Sequence, residues 1–170
     1  MSRAADVGAP PRTDPAARAR DWIGLAARLV LGGALLYAGA LKVGSPLVSG
    51  RAVQAYQILP FDLAAYVGYA LPVLELVLGG LILIGLYLRP AAIAGTVLMV
   101  VFIAGILSAW ARGLSIDCGC FGGGGAVAPD QTAYGVEIAR DLLLAACGLW
   151  LAWRPDSPLR LDARLARQRR

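Results

Sequence analysis

The chain has 170 residues, of which 58% are hydrophobic and only 16% charged, and its mean hydropathy is +0.65. Ordinary globular chains carry about 25% charged residues, so a soluble domain folded around one core is excluded. The net charge of +5 belongs to the ends: Arg3, Arg12, Arg18 and Arg20 at one, and Arg154, Arg160, Arg164, Arg167, Arg169 and Arg170 at the other, a distribution that argues against a nucleic-acid surface and for basic flanks on membrane segments.

Residues 1–21 begin "MSRAADVGAPPRTDPAARAR" and read as a disordered basic tail. A spanning helix needs about 20 mainly apolar residues. Four segments qualify: Trp22 to Leu41, Leu63 to Leu88, Ala91 to Ala111, and Ala133 to Trp153. The first contains Ala38-Gly39-Ala40, which is similar to a signal-peptidase site, but the apolar run is longer than a signal core and continues into Leu41, so a retained helix is expected. "YLRP" separates the second and third segments, and Pro90 suits the first turn of a helix. Trp22, Tyr87, Trp110, Tyr134, Trp150 and Trp153 lie near segment ends, where interfacial aromatics collect. The runs are continuous rather than alternating, which disfavours membrane strands.

The expected fold is therefore an all-α integral membrane protein, a four-transmembrane-helix bundle over residues 22–153, with a second basic tail over 154–170. Four crossings put both termini on one side, and their arginines assign that side to the cytoplasm. The loops holding Lys42 with Arg51, and Arg112, then face outward. This is a multi-pass protein of the cell membrane, partnered by the lipid bilayer, with "IDCGCFGGGG" on the extracytoplasmic side, where disulfides persist.

That loop carries the chemistry. Cys118 and Cys120 can close only a small strained ring, and strained disulfides belong to the labile or catalytic class. Gly119 lacks the Cβ that would resist the backbone angles such a ring needs. Phe121 and Gly122 are expected to shape the loop with it, and the run to Gly125 allows movement or close approach by a partner. Asp117 disfavours a thiolate beside it, and Arg112 would offset this if the loop folds back. The leading reading is thiol–disulfide exchange with Cys118 and Cys120 as the reacting residues. A two-thiolate metal site is the weaker alternative, since stable sites need more ligands, the chain has no histidine, and no metal is expected. A static disulfide or idle thiols are the third reading. Cys147, deep in the fourth segment, reads as a packing residue.

Glu75 lies near the middle of the second segment, where a carboxylate is costly and usually paired, protonated or functional. Pro72, one turn earlier, frees a backbone carbonyl. Arg140 enters from the same outer side and is the expected partner, so Glu75, Arg140 and Asp141 form the expected intramembrane polar cluster. Arg28 is expected to snorkel to the cytoplasmic interface. Glycines on the first three segments suit close packing in lipid.

The ordered series "RLVLGGALLYAGALKVGSP", "YQILP", "LPVLELVLGGLILIG", "GLSIDCGCFG" and "ARDLLLAACGL" resembles the DoxX-like MauE family of four-helix membrane proteins. The match runs from Arg28 to about Leu149, and "LPVLELVLGG" and "DCGCFG" are its most specific parts. The resemblance implies a role in methylamine utilisation, assisting formation or transport of a disulfide-rich dehydrogenase subunit, and places Glu75, Cys118, Cys120, Arg140 and Asp141 at motif positions. The family is similar in layout to membrane disulfide oxidoreductases that pass electrons to quinone. A quinone is thereby the implied cofactor, and a secreted or periplasmic thiol protein the implied partner. The competing class is a non-enzymatic membrane accessory subunit, or a small-solute transporter centred on Glu75.

Overall fold

A computed structural model describes residues 15–154, all but the ends of the chain. The C-terminal tail beyond Arg154 and the first fourteen residues of the N-terminal tail lie outside them. Helix α1 spans Pro15–Val43 and so begins well before the expected boundary at Trp22. Ala16, Arg18, Ala19 and Arg20 are strong helix formers, and their polarity does not prevent a helix from extending past its apolar part. Next come α2 (Pro46–Ala55), α3 (Phe61–Ile84), α4 (Leu88–Ala111), a two-stranded hairpin of β1 (Ile116–Asp117) and β2 (Gly125–Ala126), a 3-10 turn over Pro129–Gln131, and α5 (Tyr134–Trp153).

Among the described residues, three helical segments are long and apolar enough to cross a membrane: Arg18–Val43, Phe61–Ile84 and Leu88–Ala111. Helix α5 matches the fourth expected segment closely but carries Glu137, Arg140 and Asp141 in its first half. Large apolar side chains such as Leu29, Val73, Val77, Val97, Val100, Leu142 and Leu143 point away from the bundle, as a lipid-facing surface requires.

Helix α1 packs mainly on α3 and α4 on α5, while α1 against α5 joins the two pairs. Helices α3 and α4, although consecutive, touch only lightly. The α1–α3 crossing depends on small residues. A Cβ added at Gly79 would sit 2.8 Å from the Leu36 nitrogen and 2.9 Å from the Gly32 oxygen, and one at Gly39 would sit 2.8 Å from the Pro72 oxygen. Backbone-to-backbone contact replaces side-chain interdigitation, the arrangement that dispersion favours where lipid removes the hydrophobic drive. Leu31, Leu35, Ile82, Leu88, Ala92 and Leu151 fill the shared core.

Helix α3 ends at Gly85, which is left-handed (φ 68°), with the Leu86 N–H on the Leu81 oxygen at 3.1 Å. Arg28 completes this end. Its Nε donates to the Ile82 oxygen at 3.2 Å and its Nη2 to the Leu83 oxygen at 2.7 Å. The expectation that Arg28 snorkels to the interface is therefore corrected: it is buried and caps the last turn of α3 at the Ile82 and Leu83 carbonyls, the first of which also receives the Gly85 N–H.

Helix α2 has no counterpart among the expected segments. Pro46 opens it, and it stops short of the Leu59–Pro60 step that disfavours helix. Its Ser49, Gly50 and Ala52 are buried, and it lies against α3 and β2. It forms a lid of protein over the gap between α3 and α4, close to the hairpin.

Candidate functional site

The hairpin is short because its two strands exist only to present the loop between them. Ile116 pairs with Ala126 and Asp117 with Gly125. Tyr134, the first residue of α5, anchors it: its hydroxyl donates to the Leu114 oxygen at 2.5 Å and accepts the Ile116 N–H at 3.0 Å. Within the loop Gly119 has φ +70°, and a Cβ there would also lie 2.7 Å from the Ala52 Cβ. The Asp117 carboxylate accepts the Gly119 N–H at 3.0 Å, closing an Asx turn around the first cysteine. Phe121 stacks at 5.7 Å from the Tyr37 ring, and Gly122 rests on Leu41. The three expected loop-shaping residues thus all lie in the turn, pressed onto α1 or α2.

Cys118 and Cys120 are both buried and carry free thiols. The Cys118 sulfur accepts the Cys120 N–H at 3.2 Å and lies 3.8 Å from the Arg140 Nη2, which donates to it. Two N–H donors on one sulfur suit a sulfur that carries negative charge. Cys120 differs. Its hydrogen bond to Cys118, then burial, then the charges of Cys118 and Asp141, push its thiol well above the ordinary range, with Arg140 offsetting only part. Arg112 plays no part here. It donates to carbonyls of Ser108, Tyr56 and Gln57, tying the end of α4 to the end of α2, so the condition under which it would offset Asp117 is not met.

Arg140 is held from two sides. Its guanidinium pairs with Asp141 (2.8 Å) and lies 4.7 Å from the centre of the Phe121 ring. The buried face of α5 comprises Tyr134, Glu137, Asp141, Leu144, Gly148 and Leu151, so Asp141 rather than Arg140 points inward. The expected Glu75–Arg140 pairing is also corrected. Glu75 pairs with Lys42, with Nζ and Oε1 2.6 Å apart and both side chains below 10% exposure. Because α1 runs antiparallel against α3, its last turn brings Lys42 beside Glu75. Glu75, Arg140 and Asp141 nevertheless border one small pocket with Cys120 and Phe121, of about 20 Å³, roughly the volume that one water needs.

A larger cavity of about 300 Å³ opens between α3 and α4 beneath α2. Val67, Gly68, Leu71, Val101 and Phe102 give it apolar walls, and Lys42, Ser49 and Tyr56 bring polar atoms to it. Cys118 and Cys120 both border it. Tyr56 donates its hydroxyl to the Cys118 oxygen at 3.1 Å. Burial, then the charges of Cys120, Cys118, Glu137 and Asp141, raises the Tyr56 hydroxyl above its ordinary range and keeps it a donor. Cys147 packs on the hydrophobic core away from both cavities, as expected.

Sequence reasoning missed Lys42, Tyr56 and Glu137 as site residues. Lys42 is the sole lysine of the chain and closes an apolar run, a signal that could have matched it to Glu75. A family described as methylamine utilisation protein MauE matches residues 20–154, most of the chain and all of this site. The chain belongs to the MauE family. Neither a curated protein nor a solved structure matches it significantly. MauE membership and the three apolar helices together make this a membrane-embedded protein.

Proposed function

We propose that this MauE protein is an accessory of methylamine utilisation that exchanges disulfides with a secreted or periplasmic thiol protein. In this reading α5 is the fourth crossing, both termini are cytoplasmic, and the Cys-Gly-Cys loop lies outside. The observation that carries the reading is the pair of buried thiols, of which one sulfur receives two N–H donors while the other retains its proton. In disulfide formation, a partner thiolate attacks Cys118 of the Cys118–Cys120 disulfide. The S–S bond breaks and Cys120 leaves, taking up a proton. A second partner thiolate then attacks the partner sulfur of the mixed disulfide and releases Cys118 as the thiolate that Arg140 and the Cys120 N–H hold. The partner gains one disulfide, and the loop becomes a dithiol.

Regenerating the loop disulfide needs an acceptor of two electrons and two protons, a role that a lipid-soluble quinone would fill when bound. The residues fit such a group. An apolar cavity of about 300 Å³ has the smallest volume typical of ligand pockets, borders both thiols, and offers Lys42 and Ser49 as donors to ring oxygens. Mixed with disulfide-bonded partner, so that the exchange runs in reverse, reduced Cys120→Ser should attack the partner's disulfide through Cys118 and accumulate a mixed disulfide, separable on a non-reducing gel. Cys118→Ser should accumulate none, and Cys147→Ser should behave as the parent. Full partner maturation by a Cys118→Ser/Cys120→Ser variant would end this reading.

A second reading rests on Glu75, whose Oε2 is buried without a hydrogen-bond partner beside Lys42. A small-solute carrier or non-enzymatic subunit built on that ion pair would tolerate loss of both loop cysteines and fail with Glu75→Leu.

A further inference from the structure

Glu137 has no role in the exchange just described, yet it is 9% exposed and its Oε2 has no hydrogen-bond partner. A buried carboxylate oxygen left unpaired is costly. It lies in a group. One ligand atom each from Asp117, Cys118 and Glu137 fall within 4.8 Å of one another. Asp117 and Cys118 are neighbours in the chain, whereas Glu137 comes from the first turn of α5, so it is the fold that brings this carboxylate to them.

We infer that Asp117, Cys118 and Glu137 bind a single divalent cation of the zinc class. Two carboxylates and a thiolate match the oxygen and sulfur donors that zinc accepts, and three protein ligands leave one tetrahedral position open. Calcium and magnesium take oxygen donors alone, and monovalent copper favours sulfur-only sets. The surroundings already orient the ligands. The Asp117 Oδ1 is fixed by the Gly119 N–H, and the Cys118 sulfur accepts the Cys120 N–H, contacts of the kind that tune metal ligands from outside. Arg140 is the nearby cation, and its charge is neutralised by Asp141 at 2.8 Å. A bound ion would tie the loop to α5 and occupy the sulfur that exchange requires. Zinc therefore holds the couple reduced and closed until it is withdrawn.

The test uses full-length protein in lipid nanodiscs, reduced, with Cys147→Ser to remove the third thiol. Zinc is measured by competition with a chromogenic chelator, and cobalt substitution reports a thiolate-to-metal charge-transfer band. One equivalent should bind, the band should appear, and zinc should slow alkylation of Cys118. Glu137→Gln should weaken binding by at least about tenfold, the scale of losing a partner at a metal site. Asp117→Asn, a loop change remote from helix packing, should do the same and serves if Glu137→Gln does not fold. Cys120→Ser should bind as the parent does. Absence of stoichiometric zinc, or binding lost with Cys120→Ser and kept with Asp117→Asn, would overturn the site, the latter result being a plain two-thiolate chelate.

Discussion

Lys42→Met removes the ammonium from a buried ion pair and leaves a side chain of similar length. Glu75, 1% exposed, would then have neither oxygen paired, because Oε2 already lacks a partner. Breaking one side of a buried pair costs about 3–5 kcal/mol in water-soluble proteins. In lipid, interhelical polar contacts average about 0.6 and reach about 1.7 kcal/mol, since the unfolded state also finds partners. A charged pair at 2.6 Å belongs above that upper figure, so a loss of about 2–4 kcal/mol is expected, roughly 30- to 700-fold in the folding equilibrium. Lys42→Met/Glu75→Leu should recover most of it, because an apolar replacement of a buried pair is often neutral or stabilising. Reversible unfolding in bicelles, run as a double-mutant cycle, measures both terms. Single variants within about 0.5 kcal/mol of the parent, the range of surface changes, would refute the pairing. Exchange retained in the double variant would show that the pair supports the fold and leaves the chemistry to the loop.

Gly79→Leu should separate α1 from α3, costing more than the about 1–3 kcal/mol of ordinary overpacking because the added Cβ meets backbone at Leu36 and Gly32; thermal aggregation of the purified protein reads this directly. A membrane-impermeant thiol reagent applied to intact cells should label the pre-reduced loop cysteines, and labelling only after permeabilisation would place the loop in the cytoplasm. Cys118→Ala removes the first cause of the raised Cys120 thiol, so the midpoint for Cys120 alkylation should move to lower pH; the opposite shift, or none, would show that burial alone sets it.

The long helices were legible because a run of about 20 apolar residues has few other uses, and "DCGCFG" because few structural needs place two cysteines around one glycine. The misreadings share a cause. Lys42 and Arg28 look like interface charges along the chain, and only the antiparallel packing of α1 on α3 reveals a carboxylate beside one and the last carbonyls of α3 beside the other. Helix α2 escaped notice because ten residues between prolines carry too little periodicity to separate a helix from a loop. Arg140 reads along the chain as the partner of Glu75, yet Asp141 is the more deeply buried of the two, a difference of one position that an unpacked helix does not disclose. Helical period gives a face, and only a neighbour says which side of that face is used.

The α1–α3 contacts also constrain how the chain is made. Lys42 emerges from the ribosome 33 residues before Glu75, and Arg28 emerges 54 before Ile82. Helix α1 therefore enters the bilayer with Lys42 ahead of its carboxylate and Arg28 ahead of the α3 carbonyls that receive it, each charge expensive at depth. It must wait at the insertion machinery, or sit shallow, until α3 arrives with the Glu75 carboxylate and the Ile82 and Leu83 carbonyls. The two helices are then released into lipid with Lys42 paired to Glu75 and Arg28 held by backbone carbonyls. Truncations that end before Glu75 should leave α1 poorly inserted, whereas those that end after Gly85 should stabilise it in the membrane.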